Sequence, residues 1–312
     1  MNSELAARLF ATTGEDTHNL TDPSVAHLMV HHDQVVSSRE VPGLDVKAEH
    51  AGGALAVRFR VAPGSRIQHP VHLCFGMMPE SGVQKIVMDV EIGAGAAVAV
   101  RSHCTFPFAV DVLHTMDAEI RVGEGAEYYY FERHVHPASG GVTVVPKAKV
   151  HLAAGAFFQT EFELLKGRVG KLDIDYETFC QADSVMEMRA RINGTGDDVL
   201  LINETGHLLG ERARGVLTSF IALRDRATAE IRNKLVASAP YARGHVDCKE
   251  IVQGQASASA IPVVVVNHPL AHVTHEAAIG SVDTRQLETL MARGLDEDAA
   301  VELIIQGMLS RG

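Results

Sequence analysis

The sequence predicts a mainly β chain wound into a stacked β-solenoid, and three observations carry that reading. From about Gln34 to Val266 the chain is a succession of short runs of Val, Ile, Phe, Tyr, Thr and Ala, punctuated by Gly, Pro, Asp and Asn. Several runs alternate at period two, as in Lys85-Ile-Val-Met-Asp-Val-Glu-Ile and Tyr128-Tyr-Tyr-Phe-Glu-Arg-His-Val-His, the pattern of strands with two unlike faces. A corner then recurs in Val61-Ala-Pro-Gly64, Ile92-Gly-Ala-Gly95, Val122-Gly-Glu-Gly125 and Leu152-Ala-Ala-Gly155. Its glycines lie 31, 30 and 30 residues apart, each three residues after an aliphatic side chain. Stacked coils must turn tightly at the same place, and glycine supplies the positive φ such a corner needs. Helical texture is confined to roughly the first and last thirty residues, so the long helices of a Rossmann or (β/α) barrel plan are missing.

Taken in order, residues 1–33 form a short N-terminal helical or irregular segment, residues 34–270 the solenoid core, and residues 271–312 a small C-terminal helical region. In that last region Asp283 and Gln286 have capping-box spacing, Leu287, Leu290 and Met291 share a face, and Gly294 marks the stop. Asp296 caps a second helix through Ala299, Ala300, Leu303, Ile304 and Met308, with acids in its first turn where the helix dipole favours them. Two helices this short cannot form a core of their own. They must cap the solenoid or bind something.

Composition narrows the function classes. The 312 residues are 46% hydrophobic and 21% charged, enough apolar side chain for a large core. With 28 Lys+Arg against 39 Asp+Glu, the net charge of −11 argues against nucleic acid and against an anionic membrane surface as partners. The apolar run Ile261–Val266 is far short of the ~20 residues of a membrane-spanning helix. The N-terminus carries an early acid and no apolar core, so no secretory signal is expected. Cys74, Cys104, Cys180 and Cys248 make neither a CxxC pair nor a disulfide framework, and a reduced, cytoplasmic protein is the expectation.

Three groups of residues are candidates for chemistry. On a strand, Glu132, His134 and His136 project to one face, and two imidazoles with a carboxylate suit zinc or non-haem iron. A cupin uses a similar His-x-His strand, although the downstream glutamate of that pattern is absent after Pro137. The same alternation also describes a solvated polar face of one coil, which is the plainer reading. Among the other histidines (His103, His268, His272, His275), His103 cannot chelate together with Cys104, because adjacent strand residues point to opposite faces. Cys74, Cys104 and Cys180 sit among apolar neighbours and read as small core side chains. Cys248 differs: His245, Asp247, Lys249 and Glu250 surround it, a setting for an accessible, thiolate-prone cysteine as much as for a structural one.

The stretch from His272-Val-Thr-His275-Glu276-Ala277 through Asp283-Thr-Arg-Gln286-Leu287, Arg293-Gly294-Leu295 and Leu303-Ile304-Ile305-Gln-Gly307 resembles the close of the SufB/SufD proteins. These are the core scaffold subunits of the SUF iron–sulfur cluster assembly system. Asp247-Cys248 and the run Ala260-Ile-Pro262-Val-Val-Val-Val-Asn267 resemble that family's cysteine strand and its Pro-aliphatic strand. The resemblance implies a right-handed parallel β-helix and a cluster formed where two core subunits meet, as a homodimer or with a SufB/SufD paralogue. It also implies C-terminal helices that bind the ABC-type ATPase SufC. It places Cys248 on the essential cysteine of SufB and His275-Glu276 on the His-Glu pair; His-Glu-Ala is nearer the SufB type than the SufD type, where Gly often replaces Glu. The chain departs from the usual SufB in being shorter, with little of the N-terminal helical region and no counterpart of the additional sulfur-receiving cysteine.

The expected function is therefore a non-enzymatic scaffold that holds a transient, air-sensitive iron–sulfur cluster through Cys248, His275 and Glu276. Asp283, Leu287, Leu290, Arg293, Glu297, Leu303 and Ile304 are the expected ATPase contacts. The alternatives are a cupin-like metal enzyme using Glu132, His134 and His136, and a polysaccharide-acting β-helix. The second alternative lacks the aromatic platforms sugars need, with no Trp and five Tyr.

Overall fold

The computed structural model describes residues 2–310, and it is a stacked β-solenoid of two long sheets. Sheet A stacks, in spatial order, Gln34–Arg39, His27–His31, Val71–Gly76, Ala97–Thr105, Glu127–Val135, Phe157–Lys166, Val185–Gly194, Arg214–Leu223, Arg243–Val252 and His272–Gly280. Sheet B stacks Leu44–Ala51, Ala54–Val61, Ser81–Ile92, Asp111–Val122, Val142–Leu152, Gly170–Cys180, Val199–Leu208 and Thr228–Ala237. Ser257–Ala260 and Val263–Val266 both pair with that last strand. Only the first pairing in each sheet is antiparallel; every later pairing joins one coil to the next in parallel. Strand pairing takes in His27–His31 and His272–Gly280, which lie outside residues 34–270, because each finds a parallel partner in sheet A.

Register shows how regular the winding is. The positions Ala97, Glu127, Phe157, Val185, Arg214, Arg243 and His272 pair in succession, so coils of 30, 30, 28, 29, 29 and 29 residues return to the same column. Period-two sequences form these strands because alternate residues enter one shared interior. Leu172, Ile174, Tyr176 and Cys180 are buried, while Asp173, Asp175 and Glu177 between them reach the outside. The inward residues of both sheets merge into a single apolar cluster from Ala26 to Cys248.

The repeated glycines occupy one corner, as their spacing predicts. Gly64, Gly95, Gly125 and Gly155 have φ of 70°, 64°, 61° and 66°, and each amide donates to a carbonyl of the next coil at 2.8–3.0 Å. After Gly155 the corner continues without glycine. Asp183, Arg212 and Tyr241 hold φ of 58–59°, and the Asp183 and Arg212 amides make the same bond one coil on. The geometry is thus kept where the residue type is not, with Arg212 also bound to the Asp183 carboxylate at 2.6 Å.

The helices lie on the flank of sheet A. The helix Asn2–Ala11 sets Ala6, Leu9 and Phe10 against Met29 and Cys74. The helices Thr284–Met291 and Glu297–Leu309 are capped as expected: Asp283 accepts from the Gln286 amide and Asp296 from the Ala299 amide, both at 2.8 Å. Ile305 and Leu309 pack on Ala222, with Leu165, Phe220 and Ile251 around them, so the second helix covers the side of the solenoid and leaves its end open.

The left-handed corner gives a stability test. Gly125→Val is expected to lower the unfolding free energy by about 1–2 kcal/mol, because a β-branched residue is strained at that φ. Tyr241→Gly, which relieves a comparable strain, is expected to stay within about 0.5 kcal/mol of wild type, since glycine's unfolded-state entropy offsets the relief. Urea titrations of the two variants check both values.

Candidate functional site

Two polar groups interrupt the apolar interior, one in the middle coils and one near the open end. The first grows from the strand Glu127–Val135, whose alternation turns Tyr128, Glu132 and His134 inward and Tyr129 outward. Glu132, His134 and His136 do share a face, as predicted, but that face is the core and not a solvated surface; they are 2%, 1% and 6% exposed. The His134 Nε2–H donates to Glu132 Oε1 at 2.7 Å, its Nδ1 lies 3.1 Å from His136 Nε2, and the Tyr130 hydroxyl donates to Glu132 Oε2 at 3.0 Å. Cys104, from the neighbouring strand Ala97–Thr105, completes the group: its sulfur is 3.6 Å from Glu132 Oε1 and 3.6 Å from His114 Nε2. The ligand atoms of Cys104, Glu132 and His134 all lie within 4.8 Å of one another. His103, as its position requires, faces the other way, under Phe10.

Electrostatics follow from this burial. Burial pushes His114 down to about 3, so its imidazole is neutral, and it drives the Cys104 thiol upward, with the Glu132 charge adding to the effect. Burial also opposes ionisation of Glu132, but the hydrogen bonds from His134 and Tyr130 outweigh it and hold the carboxyl below its ordinary range. The result is a buried carboxylate whose shortest hydrogen bonds come from an imidazole and a phenol. The cavity that borders Glu132 has a volume of about 30 Å³.

Cys248 lies on the strand Arg243–Val252, one strand in from the open end. The sequence left Cys248 between an accessible and a structural setting; the fold gives it the buried one. His245, Asp247 and Lys249 sit at the alternate positions, on the outer face, where Lys249 pairs with Asp247 at 2.9 Å. Cys248 itself is fully buried, accepts from the Asn233 amide at 3.6 Å, and has its thiol pushed up by burial. In the last strand, Cys248 pairs with Ala277, Val246 with His275 and Asp247 with Glu276. His275 is therefore on the Cys248 side of the sheet, while Glu276 is on the Asp247 side. One chain does not bring the three together.

The C-terminal helices divide cleanly. Ala300, Ile305 and Leu309 are buried, the last two against sheet A, and the helix is anchored by Arg191 on the Leu309 carbonyl and Arg224 on Glu302. Asp283, Arg293, Glu297 and Leu303 are exposed, and Leu287, Leu290 and Ile304 are half-buried. No helix is long and apolar enough to cross a membrane among the described residues.

Sequence reading missed the polar side chains that surround Cys248. Glu204 and Asn233 occupy inward positions in register on adjacent sheet B strands, with Tyr176 in the same column. A signal existed: in Leu200, Ile202, Glu204 and in Ala229, Ile231, Asn233 the polar residue falls on the apolar phase of the alternation. Glu204 Oε2 and Asn233 Oδ1 have no partner among the described residues. Burial raises Glu204 to about 8, and burial likewise raises Glu250, beside Ser219, to about 7.

Comparison with known proteins gives a consistent match. Residues 80–308 match the family model described as the SUF system FeS cluster assembly, SufBD core domain. An iron–sulfur cluster assembly SufBD family protein of Methanocaldococcus jannaschii is 35% identical over 297 residues, covering 95% of this chain and 94% of the relative. One from Pyrococcus horikoshii is 32% identical over 98% of this chain and 93% of its own length, and a second from that organism is 28% identical over 78% and 54% respectively.

The raised carboxyls make stability depend on pH. A glutamate whose folded pKa lies above its ordinary 4.5 contributes stability that is complete below that value and is lost as pH rises through about 8 for Glu204 and about 7 for Glu250. Glu204→Gln removes the Glu204 part, so its stability relative to wild type is expected to improve between about pH 5 and about pH 8.5. Urea midpoints of both proteins at the two pH values check this.

Proposed function

Because this chain belongs to the SufBD family of SUF-system iron–sulfur cluster assembly proteins, we propose that it is a scaffold on which a nascent cluster forms between two subunits. In this reading an ABC-type ATPase of the SufC kind docks on the C-terminal helices and drives the cycle. The observation that carries it is the open end of the solenoid. The strand His272–Gly280 is the last of sheet A, paired only with Arg243–Val252, and Val263, Val266, Leu270 and Ile279 are exposed around it. An unpaired strand edge with an apolar fringe is a template for another chain, and a second core subunit fits it, a copy or a paralogue.

That geometry gives the subunit interface a chemical role. A cluster normally takes four protein ligands, and here Cys248 and His275 share one face while Glu276 lies on the other. Two copies of this chain meeting at that end supply two of each residue, and ligands other than thiolate make the cluster, which is cargo here, easier to release. Cys248 is sealed beneath the final coil, so the reading requires that it be uncovered before it binds iron or sulfur.

The ATPase has a route to do so. Its docking surface is the exposed side of the helices, with Asp283, Arg293, Glu297 and Leu303, while Leu287, Leu290 and Ile304 sit at the margin. The buried side grips Phe220, Ala222 and Ile251, and Ile251 belongs to the same strand as Cys248. A pull on the helices is thus delivered two strands from the open edge. ATP hydrolysis belongs to the partner, and the four unpaired cysteines suit a reducing cytoplasm.

Anaerobic reconstitution with iron and sulfide tests the scaffold. Wild type is expected to show sulfur-to-iron absorption, Cys248→Ala to lose most of it, and His275→Ala or Glu276→Ala to weaken it; an unchanged spectrum in Cys248→Ala removes the ligand assignment. A pull-down tests docking: removal of residues 281–312, or Leu303→Glu in the full chain, is expected to abolish ATPase binding with the circular dichroism of the β core kept. Wild-type affinity in both places the docking surface elsewhere.

A further inference from the structure

The scaffold reading leaves the interior group at Cys104 without a task. We propose that Cys104, Glu132 and His134, whose ligand atoms lie within 4.8 Å of one another, form a binding site for one zinc ion inside the solenoid, with His114, 3.6 Å from the Cys104 sulfur, as the nearest further donor. The ligand types come first: a thiolate, imidazoles and a carboxylate are the donors zinc takes in structural sites. The spacing agrees. With Zn–S near 2.3 Å and Zn–N or Zn–O near 2.0–2.1 Å, a tetrahedral ion holds its sulfur about 3.5 Å from each other donor. Cys104 sulfur lies 3.6 Å from Glu132 Oε1 and 3.6 Å from His114 Nε2. His134 Nε2 and Glu132 Oε1, at 2.7 Å, are at hydrogen-bond distance and open to about 3.3 Å when an ion replaces the shared proton.

Charge balance favours a divalent ion over a simple polar network. Buried charges are normally paired or bound to metal. The hydrogen-bonding contacts of Glu132 are Tyr130, His134 and Cys104, with no lysine or arginine in the set. Zinc with one carboxylate and one thiolate is neutral, which is the state a core tolerates. On binding, the Cys104 thiol releases its proton, and His134 moves its proton from Nε2 to Nδ1, which then donates to His136. His136 keeps its count by carrying its own proton on Nδ1, an atom with no partner among the described residues. This places His136 as the outer partner that orients a metal-bound imidazole. A cavity of about 30 Å³ lined by Tyr128, Tyr130, Thr160 and Tyr176 borders Glu132, room for one water on the way in.

The test keeps this site apart from the cluster. The full-length chain, stripped with chelator and kept free of iron and sulfide, is titrated anaerobically with Co²⁺ as a coloured stand-in, and then with Zn²⁺. One ion per chain with a thiolate-to-cobalt band is expected, kept in Cys248→Ala and lost in Cys104→Ala. Zn²⁺ is expected to displace the band and raise the melting temperature of wild type and Cys248→Ala alike. Because Cys104→Ala trims a packed core, the near-isosteric Glu132→Gln is measured beside it, with an expected affinity loss of about tenfold or more. A band that survives in Cys104→Ala, a band lost in Cys248→Ala, equal affinity in Glu132→Gln, or no uptake even after refolding with metal overturns the proposal.

Discussion

The constraint on which everything else rests is coil length. A parallel strand finds its hydrogen-bond partners only if the chain returns to the same column after a nearly constant number of residues, here 28 to 31 from Leu55 onward. Once that is met, side chains at equal heights stack into ladders without further design. His151, Phe179 and His207 lie ring on ring along sheet B, with centroids 5.0 and 4.9 Å apart and planes within 8°. Charges do the same on sheet A, where Arg133 meets Glu163 and Arg191 meets Glu161, each 30 residues on. A single-residue error in one coil would turn every inward side chain of the next strand outward. That is why the corner φ is preserved even where glycine is not.

This explains what was legible beforehand. Glycine at the corner is visible because only its residue type advertises the conformation, so the first four corners could be read and those at Asp183, Arg212 and Tyr241 could not. Helix caps are local, and Asp283 and Asp296 behave as their spacing predicts. The interior sites are different in kind. Cys104 and Glu132 are 28 residues apart in sequence, and only the pairing of adjacent coils makes them neighbours. Cys248 shows the reverse case: His245, Asp247 and Lys249 are near it in sequence and on the opposite face in space. Periodicity read residue by residue recovers faces, but not which face is inside.

The two sheets also divide labour between inside and outside. Outward charges pair along the stack and contribute modestly where solvent screens them. Inward polar groups are few, and they gather at two heights, near Cys104 and near Cys248. Between them Leu172, Ile174 and Ile202 are fully buried, with Tyr176 and Thr178 on the same strand as Leu172. The C-terminal helix ties the flank at the height of Ala222 and Ile251, between the middle of the stack and its open end.

The lone attachment of His272–Gly280 has a thermodynamic consequence. In a stack of coils each unit is held by nearest-neighbour interfaces, so an interior coil is clamped on two sides and a terminal coil on one. Fraying from that end therefore costs one interface, a small part of the global unfolding free energy. Amide protection should fall along the final coils, with Arg243–Val252 the first strand to gain freedom when its neighbour lifts away. Sequence order and the stability gradient point the same way, and the end of the chain that is least held is the one that covers Cys248.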